Sequence, residues 1–266
     1  MVTLALIGAG KWGKNYLTAV NQLPKCRIKY VCTKDNDYRQ LIKYPDVNGV
    51  IIATPAKTHY LIAKFFLSHG YPLLIEKPVA MNYAQAQDLE RRQQRQKVAV
   101  MVGHTYLFHP AYVRLKQSLK GLGKIDQLIF KGTNMGPMPA GLSVLWEWGP
   151  HAVALAIDLL GHEPVGVMTQ GRGEKVTLKL KFADKVTFQA TLGWGFTVKE
   201  RSLTVINSQG KAKQVVLGSL RKTQTPPLVA ELVAWVRAIK DGVVPISDIN
   251  LGVKVTKVLV LAEKVV

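Results

Sequence analysis

Short apolar runs alternate with segments of helical period over the first hundred residues of the chain. The apolar runs are Leu4–Ile7, Ile28–Cys32, Val50–Ala53, Leu73–Ile75 and Val98–Val102. Helical spacing fits Lys14–Leu23, Thr58–His69 and Asn82–Gln96. Strands that are separated by helices pair in parallel, because each helix returns the chain to the same end of the sheet. The pattern predicts an α/β domain with a doubly wound parallel sheet over residues 1–102.

The pattern changes after Gly103. Lys175–Phe182 and Val186–Leu192 alternate strictly between apolar and polar residues, and Ala183–Lys185 between them predicts the turn of an antiparallel hairpin. Further strands and helices are predicted at Arg201–Ile206, Ala212–Leu217, Trp148–Leu160, Leu228–Lys240 and, in a valine-rich segment, Leu251–Val266. We therefore expect a second α/β domain over residues 103–266, built on a largely antiparallel open sheet.

Composition narrows the class of protein. No apolar run in the 266 residues reaches the roughly 18 residues that a membrane span needs, so no membrane partner is predicted. Cys26 and Cys32 are too few for a disulfide framework and lack a metal-ligand spacing. We therefore expect a reducing, cytoplasmic location and no metal site.

The formal net charge of +19 is high for a chain of this length and favours phosphate-bearing partners. Charge alone does not distinguish a nucleic acid from a lipid or a cofactor. The sequence contains no recognisable recognition helix, RNA-binding signature or zinc pattern, so a nucleic-acid partner is not predicted.

The first chemical signal is the sequence GAGKWG, which directly follows the first predicted strand. Gly8 permits a tight turn, Gly10 lets the backbone approach a pyrophosphate, and Gly13 lets the helix pack closely on the strand. Lys11 and Trp12 lie between these glycines, where the first N–H groups of a helix would face the phosphates. The strand–turn–helix context predicts a dinucleotide site.

The residue type about twenty positions further on distinguishes NAD from NADP in such folds. Thr33 and Lys34 stand there in place of an acidic residue, and a hydroxyl and a cation accept a 2′-phosphate. We therefore favour NADP, while the neighbouring Asp35 keeps NAD open. A loop without cofactor contact is the alternative for this segment.

Four motifs in order, GAGKWGKN, IIATPAKTHY (Ile51–Tyr60), IEKPVA (Ile75–Ala80) and WEWGPHAVALAIDLLG (Trp146–Gly161), resemble the Gfo/Idh/MocA oxidoreductase family. The resemblance extends over nearly the whole chain. It implies an N-terminal Rossmann domain, a second α/β domain with an open sheet, and reversible hydride transfer between NAD(P) and a hydroxyl-bearing small molecule, often a sugar or cyclitol.

The resemblance also assigns residues. Glu76 and Lys77 match the family's EKP motif, whose lysine lies between nicotinamide and substrate, and Ala53, Thr54, Pro55 and His59 match the loop along the cofactor. An ammonium group bonded to the reacting oxygen stabilises the charge that develops during hydride transfer. A surface lysine without a role is the alternative for Lys77.

The last motif supplies further candidates. The family's aspartate and histidine, four residues apart, correspond to Glu147 and His151. Pro150 suits the first position of a helix, which would put His151 in the first turn, where the helix dipole keeps imidazole neutral. His151 is our candidate general base, and a capping or packing histidine is the alternative. Glu147 would orient His151 or hold a substrate hydroxyl. Candidate substrate contacts, for which ordinary packing is equally compatible, are Tyr106, His109 and Trp146.

The chain departs from the family between Thr33 and Val50, where sixteen residues stand in place of a helix, a strand and another helix. The nucleotide sheet is therefore expected to be shortened on the side of the adenosine. This leaves a second hypothesis, a catalytically weak or inactive sensor with an impaired cofactor site. A homodimer through the open sheet is also left undecided, because Lys179, Lys181 and Gln189 make that face polar.

Overall fold

The computed structural model describes residues 1–221 and 223–264, which fold as two units. Met1–Thr105 and Pro226–Thr256 form the first unit, and Tyr106–Thr225 with the residues from Lys257 onward forms the second. The predicted boundary after residue 102 lies close to the first transition. The segment 226–256, however, was expected in the second domain and folds with the first. Its apolar helix is the reason, since the ring of Trp235 lies against Gly49 at the start of a strand of the first unit.

The described part of the first unit contains a sheet of five parallel strands in the order β2-β1-β3-β4-β5. The strands are β1 (Val2–Ile7), β2 (Cys26–Cys32), β3 (Gly49–Ile52), β4 (Leu73–Glu76) and β5 (Val100–Gly103). The residues of β1, β3, β4 and β5 are buried throughout, as expected for strands covered by helices on both faces. The predicted doubly wound parallel sheet is confirmed.

The helices between these strands also follow the prediction. They are α1 (Lys11–Val20), α2 (His59–Ser68) and α3 (Tyr83–Gln96). The side chain of Asn82 accepts the N–H of Ala84 at 2.8 Å and so caps α3, and Gly70 after α2 has a left-handed φ of 73°. Only α1 differs, because it begins at Lys11, three residues before the predicted start, and so places Lys11 and Trp12 in its first turn.

The expected shortening is present. Between β2 and β3 the structure has one short 3₁₀ helix, Tyr38–Lys43, and no strand in this fully described stretch. The ring of Tyr44 stacks on Tyr30 of β2 at 4.3 Å between centroids, and Lys29 of β2 donates to Asp46 at 2.8 Å. The short connection therefore folds back beside the edge strand.

The second unit is built on a mixed sheet whose six described strands have the order β11-β10-β6-β9-β8-β7. The strands are β6 (Ile125–Thr133), β7 (Gly166–Gln170), β8 (Lys175–Lys181), β9 (Thr187–Gly193), β10 (Glu200–Asn207) and β11 (Ala212–Val216). Every neighbouring pair is antiparallel except β6 with β9. The predicted hairpin corresponds to β8 and β9, whereas β6 and β7 were missed because polar residues and glycines interrupt their apolar positions.

The remaining helices are α4 (Pro110–Ser118), α5 (Val144–Leu160), α6 (Pro227–Asp241) and α7 (Ile249–Lys264). Helices α6 and α7 confirm the predicted positions, although the last two residues of the predicted final helix lie outside the described residues. Helix α5 starts four residues earlier than predicted, at Val144. None of the helices in the described ranges is long and apolar enough to cross a membrane.

Candidate functional site

The three glycines of the turn after β1 have different surroundings. Gly8 has a φ of 94°, and a Cβ there would lie 2.6 Å from the carbonyl oxygen of Ala53. A Cβ on Gly13 would lie 1.9 Å from the oxygen of Gly8, so the helix contacts the turn directly. A Cβ on Gly10 would meet nothing within 4 Å. Gly8 and Gly13 are therefore required by packing, whereas Gly10 faces open space into which a ligand could approach the backbone.

A cavity of about 930 Å³ opens at this turn. Its lining includes Gly8, Gly10, the whole segment Thr33–Arg39, and Ala53, Thr54 and Pro55. In a parallel sheet of this strand order, ligands bind where the connections from β1 and β3 diverge, at the carboxyl ends of the strands. The cavity therefore brings together most of the predicted cofactor residues. Its volume, its mostly apolar surface and the open space at Gly10 fit a dinucleotide.

The shortened connection supplies one wall of this cavity. Asp37 accepts the N–H of Arg39 at 3.0 Å and its guanidinium at 3.3 Å, and the backbone hydrogen bond is the main reason that the pKa of Asp37 is lowered. The guanidinium of Arg39 lies 4.9 Å from the ring centre of Tyr38. Thr33 and Lys34 follow β2 directly, as the sequence predicted. The segment that replaces the missing strand thus brings two cations, Lys34 and Arg39, to the cavity.

Lys77 directly follows β4 and has only 6% of its surface exposed. Glu76, which ends β4, accepts the backbone N–H of Lys77 at 3.2 Å. Because β1, β3 and β4 run parallel, Lys77 lies at the same edge of the sheet as the glycine turn. This is the placement that the enzymatic hypothesis requires, and a surface lysine is excluded.

His59 lies between the loop after β3 and the loop after β4, both of which belong to the motifs that resemble the family. Its ring nitrogens lie 2.8 Å from the carbonyl oxygen of Pro78 and 2.8 Å from that of Thr54. Burial lowers the pKa of His59 against the raising effect of the two carbonyl contacts, and the charge of Lys77 adds a smaller lowering effect. The ring therefore lies between the loop after β3 and the loop after β4, where its neutral form can donate to one of the two carbonyl oxygens, while Thr54 and Pro55 form the cavity wall.

His104 is a second buried histidine beside Lys77, and it was not identified from the sequence. Ser247 donates its hydroxyl proton to the oxygen of Val102 at 2.6 Å, so its oxygen accepts from Nδ1 of His104 at 2.9 Å. Burial, with a smaller contribution from the charge of Lys77, lowers the pKa of His104 to about 3. A neutral ring with the proton on Nδ1 follows from these contacts.

The second unit contains a separate aromatic cluster around His151. The Tyr106 and Trp148 rings lie 4.8 and 6.1 Å from the His151 ring, between centroids. The guanidinium of Arg201 lies 3.9 Å from the ring centre of Trp148 and donates to Oδ1 of Asn134 at 2.6 Å. Burial raises the pKa of Tyr106 and lowers that of Arg201. Trp148 and Arg201 are buried against each other, whereas the rings of Tyr106 and His151 remain partly exposed.

The helix that carries Glu147 and His151 corrects one expectation. Because α5 begins at Val144, Pro150 lies inside the helix and His151 lies beyond its first turn. The dipole argument for a neutral His151 is therefore wrong, since the effect falls off within the first turn. Glu147, in the first turn, and His151 are four residues apart and share one face of the helix.

Two candidate substrate contacts have packing roles instead. Trp146 is 2% exposed and donates its Nε1 proton to Glu263 at 3.0 Å. His109 precedes α4, and its Nδ1 accepts the N–H of Ala111 at 3.2 Å, so it is an N-cap. Of the three, only Tyr106 lies in the cluster around His151.

Several buried polar residues near these sites were missed by sequence reasoning. They are Tyr16, His104, Arg201 and Glu231. Two of them carried a usable signal. Glu231 lies on the apolar stripe of α6 with Leu232 and Trp235, and Arg201 alternates with the inward-facing Leu203 and Val205 in β10. A charge on a buried face is uncommon and indicates a specific role.

Comparison with known proteins supports this architecture. Residues 24–104 match the Gfo/Idh/MocA family model, described as an oxidoreductase family with an NAD-binding Rossmann fold. The chain is 27% identical over 171 residues to UDP-N-acetylglucosamine 3-dehydrogenase of Acidithiobacillus ferrooxidans, covering 64% of this chain and 53% of that protein. It is 30% identical over 138 residues to inositol 2-dehydrogenase of Acidothermus cellulolyticus, covering 45% and 40%. The matches thus span about half the length of these curated relatives.

A solved structure matches over nearly its whole length. The crystal structure of a protein from Magnetospirillum magnetotacticum MS-1, described as an oxidoreductase, superposes with a TM-score of 0.87 at 29% identity. The alignment covers 98% of this chain and 99% of that chain. Both units of the present chain therefore have counterparts in that structure.

Proposed function

We propose that the chain is a Gfo/Idh/MocA-like NAD(P)-dependent dehydrogenase or reductase, because residues 24–104 match that family's model and a solved structure 29% identical to the chain covers 98% of it. Its substrate class is a sugar, cyclitol or similar small molecule with a reacting hydroxyl or carbonyl carbon. The observation that carries the proposal is the burial of Lys77 at the sheet edge that also bears the open glycine turn. Cys26 and Cys32 are buried free thiols, which is compatible with the cytoplasmic location expected from the sequence.

The dinucleotide would be held by the lining of the 930 Å³ cavity. The backbone at Gly10 and the first turn of α1 would accept the pyrophosphate, and Thr33, Lys34 and Arg39 would surround the adenosine end. We favour NADP over NAD because Lys34 supplies a cation for a 2′-phosphate. Arg39 and Asp37 are already engaged with each other, and Asp35 in the same lining leaves NAD as the alternative. When bound, the dinucleotide supplies the hydride acceptor or donor.

Lys77, His151 and Glu147 would provide the remaining chemistry. The Lys77 ammonium would bond to the reacting oxygen and stabilise the negative charge that develops there. His151 would take the hydroxyl proton in the oxidation and return it in the reduction, and Glu147 would orient His151 from one helical turn away. Tyr106, Trp148 and Arg201 would form the wall against which the substrate ring lies.

Replacement of Lys77 tests the proposal. With inositol and UDP-N-acetylglucosamine as first substrates and NADP⁺ as oxidant, we expect Lys77→Ala to lower turnover by about 100-fold or more, because the developing charge loses its partner. Cofactor affinity should change by less than about threefold, since binding rests on the cavity lining. Nicotinamide absorbance measures the first quantity and fluorescence titration the second.

The exposed Lys25→Ala serves as the matched control and should behave like the wild type. Unchanged turnover in Lys77→Ala would remove Lys77 from the mechanism. The competing function is a metabolite sensor, which the short 3₁₀ connection Tyr38–Lys43 favours because it replaces a strand of the nucleotide sheet. Saturable binding of sugars or cyclitols by a protein that binds neither dinucleotide would support that alternative.

A further inference from the structure

A buried group of three residues lies behind Lys77, contributed by three distant segments of the first unit. Tyr16 of α1 and Glu231 of α6 have no exposed surface, and Glu76 at the end of β4 is 5% exposed. The Tyr16 hydroxyl oxygen lies 2.8 Å from Oε1 of Glu76 and 3.3 Å from Oε1 of Glu231. Two carboxyl groups therefore share one phenol in a space without bulk water.

The number of protons limits how these groups can be charged. A tyrosine hydroxyl donates one proton and can accept others, so it satisfies one carboxylate but not two. Glu76 accepts both the Tyr16 hydroxyl and the Lys77 backbone N–H. Oε2 of Glu231 has no partner with hydrogen-bond geometry among the described residues. An ionised Glu231 would thus be a buried, poorly solvated charge, which costs several kcal/mol.

We infer that Glu231 is held as a neutral carboxylic acid that donates to the Tyr16 oxygen, so that Tyr16 donates to Glu76 and the single negative charge of the pair stays on Glu76. Burial and then repulsion from Glu76 raise the pKa of Glu231 well above its ordinary value, against smaller lowering contributions from Thr105 and Tyr16. Burial likewise raises the pKa of Tyr16, with both carboxyl groups adding to it. The hydrogen bonds then all run in one direction, from Glu231 of α6 through Tyr16 to Glu76 of β4.

This direction gives Glu231 a positioning role in the proposed function. Glu76 contacts the backbone of Lys77, so an ordered Glu76 carboxylate fixes the point from which the Lys77 side chain extends. Gly103 of β5 allows the carboxylate to lie there, since a Cβ would come within 3.3 Å of all three carboxyl atoms of Glu76. Loss of the donor at position 231 would leave the Tyr16 oxygen without the contact that holds the phenol in line with Glu76, and the backbone of Lys77 would then be less firmly placed.

Infrared difference spectroscopy on the full chain tests the charge assignment without any cofactor or substrate. At pH 7.5, the wild type minus Glu231→Gln should show the C=O band of a protonated carboxyl group, because the amide removes that group. In Tyr16→Phe the band should remain but move to higher frequency, since its hydrogen-bond acceptor is lost. The matched control is Glu163→Gln, a partly exposed carboxylate paired with Lys257 at 2.8 Å, which should leave the band unchanged. If Glu231→Gln loses no protonated-carboxyl band relative to the wild type, the inference is wrong.

The positioning role rests on the proposed function and is tested by turnover. Glu231→Leu should lower kcat by roughly 10- to 100-fold through misplacement of Lys77. Its dinucleotide affinity should stay within about threefold, because Glu231 lies outside the cavity lining. Glu231→Gln, whose amide N–H can donate to Tyr16, should rescue most of the loss. Equal losses in the two variants would contradict the role, and if Glu231→Leu does not fold, the infrared result decides.

Discussion

Burial is the largest influence on the pKa values of three buried residues around Lys77, namely His59, His104 and Glu231. His104 and His59 lie close to the cationic Lys77, and burial lowers the pKa of both rings. Glu231 is the acidic counterpart, because burial raises its pKa. Around Lys77, therefore, burial disfavours the charged forms of His59, His104 and Glu231.

Glu231 should make the stability of the protein depend on pH in a direction opposite to that of a salt-bridged carboxylate. Unfolded Glu231 loses its proton near the ordinary glutamate pKa of 4.5, whereas burial raises the pKa of the folded residue well above that value. The folded state binds more protons in this interval, so the residue's contribution to stability falls as pH rises. Glu231→Gln should remove this fall, and its advantage over the wild type should grow by up to about 1.4 kcal/mol per pH unit above pH 5.

Urea unfolding of both proteins at several values between pH 5 and pH 8 measures this difference. Glu163→Gln, with its partly exposed side chain, provides the comparison and should give a curve parallel to the wild type. Parallel curves for Glu231→Gln would show that Glu231 ionises alike in the folded and unfolded states.

At the scale of the element, the strand–turn–helix from β1 to α1 contains glycines with two different roles, close packing at Gly13 and open space for a ligand at Gly10. Packing excludes a side chain at Gly13, where a Cβ would lie 1.9 Å from the Gly8 oxygen, but not at Gly10. Gly13→Ala should therefore lower the free energy of unfolding by about 1–3 kcal/mol, and Gly10→Ala should change it by less than about 0.5 kcal/mol. Denaturant midpoints of the two variants check this, and equal losses would mean that the turn does not have the described geometry.

The sequence predicted those elements whose signals are local. The parallel strands, helix α3 and the β8–β9 hairpin each depend on residues within one segment, and the structure contains all three. The start of α5 was misplaced because Pro150 indicates a first turn, whereas packing carries the helix four residues further toward its N-terminus. The buried first turn, with Val144 and Leu145 at most 4% exposed, shows the packing that overrides the local preference.

Groups that meet across long stretches of chain could not be predicted from any one segment. Tyr16 contacts Glu76 sixty residues away and Glu231 two hundred and fifteen residues away. His104 and Ser247 are separated by one hundred and forty-three residues. The return of segment 226–256 to the first unit brings Glu231 and Ser247 to their partners. The same return explains why the predicted division after residue 102 differs from the units observed.

At the scale of the whole molecule, the net charge of +19 and the cavity at the glycine turn favour the same kind of ligand. An excess of cations raises the local concentration of any polyanion, and the cavity adds shape and two nearby cations, Lys34 and Arg39. The shortened connection removes a strand from the nucleotide sheet, yet Thr33–Arg39 still close one side of the cavity. We therefore expect the dinucleotide site to survive the shortening.

Equilibrium titration of the wild type with NADPH and NADH, followed by protein or nicotinamide fluorescence, tests this expectation most directly, with Gly10→Val as the variant that fills the open space at the turn. The account predicts saturable binding, tighter for NADPH than for NADH, and a loss of at least about tenfold in affinity for Gly10→Val without loss of folding. Wild-type protein that saturates with neither dinucleotide, or a Gly10→Val variant that binds as well as the wild type, would contradict it.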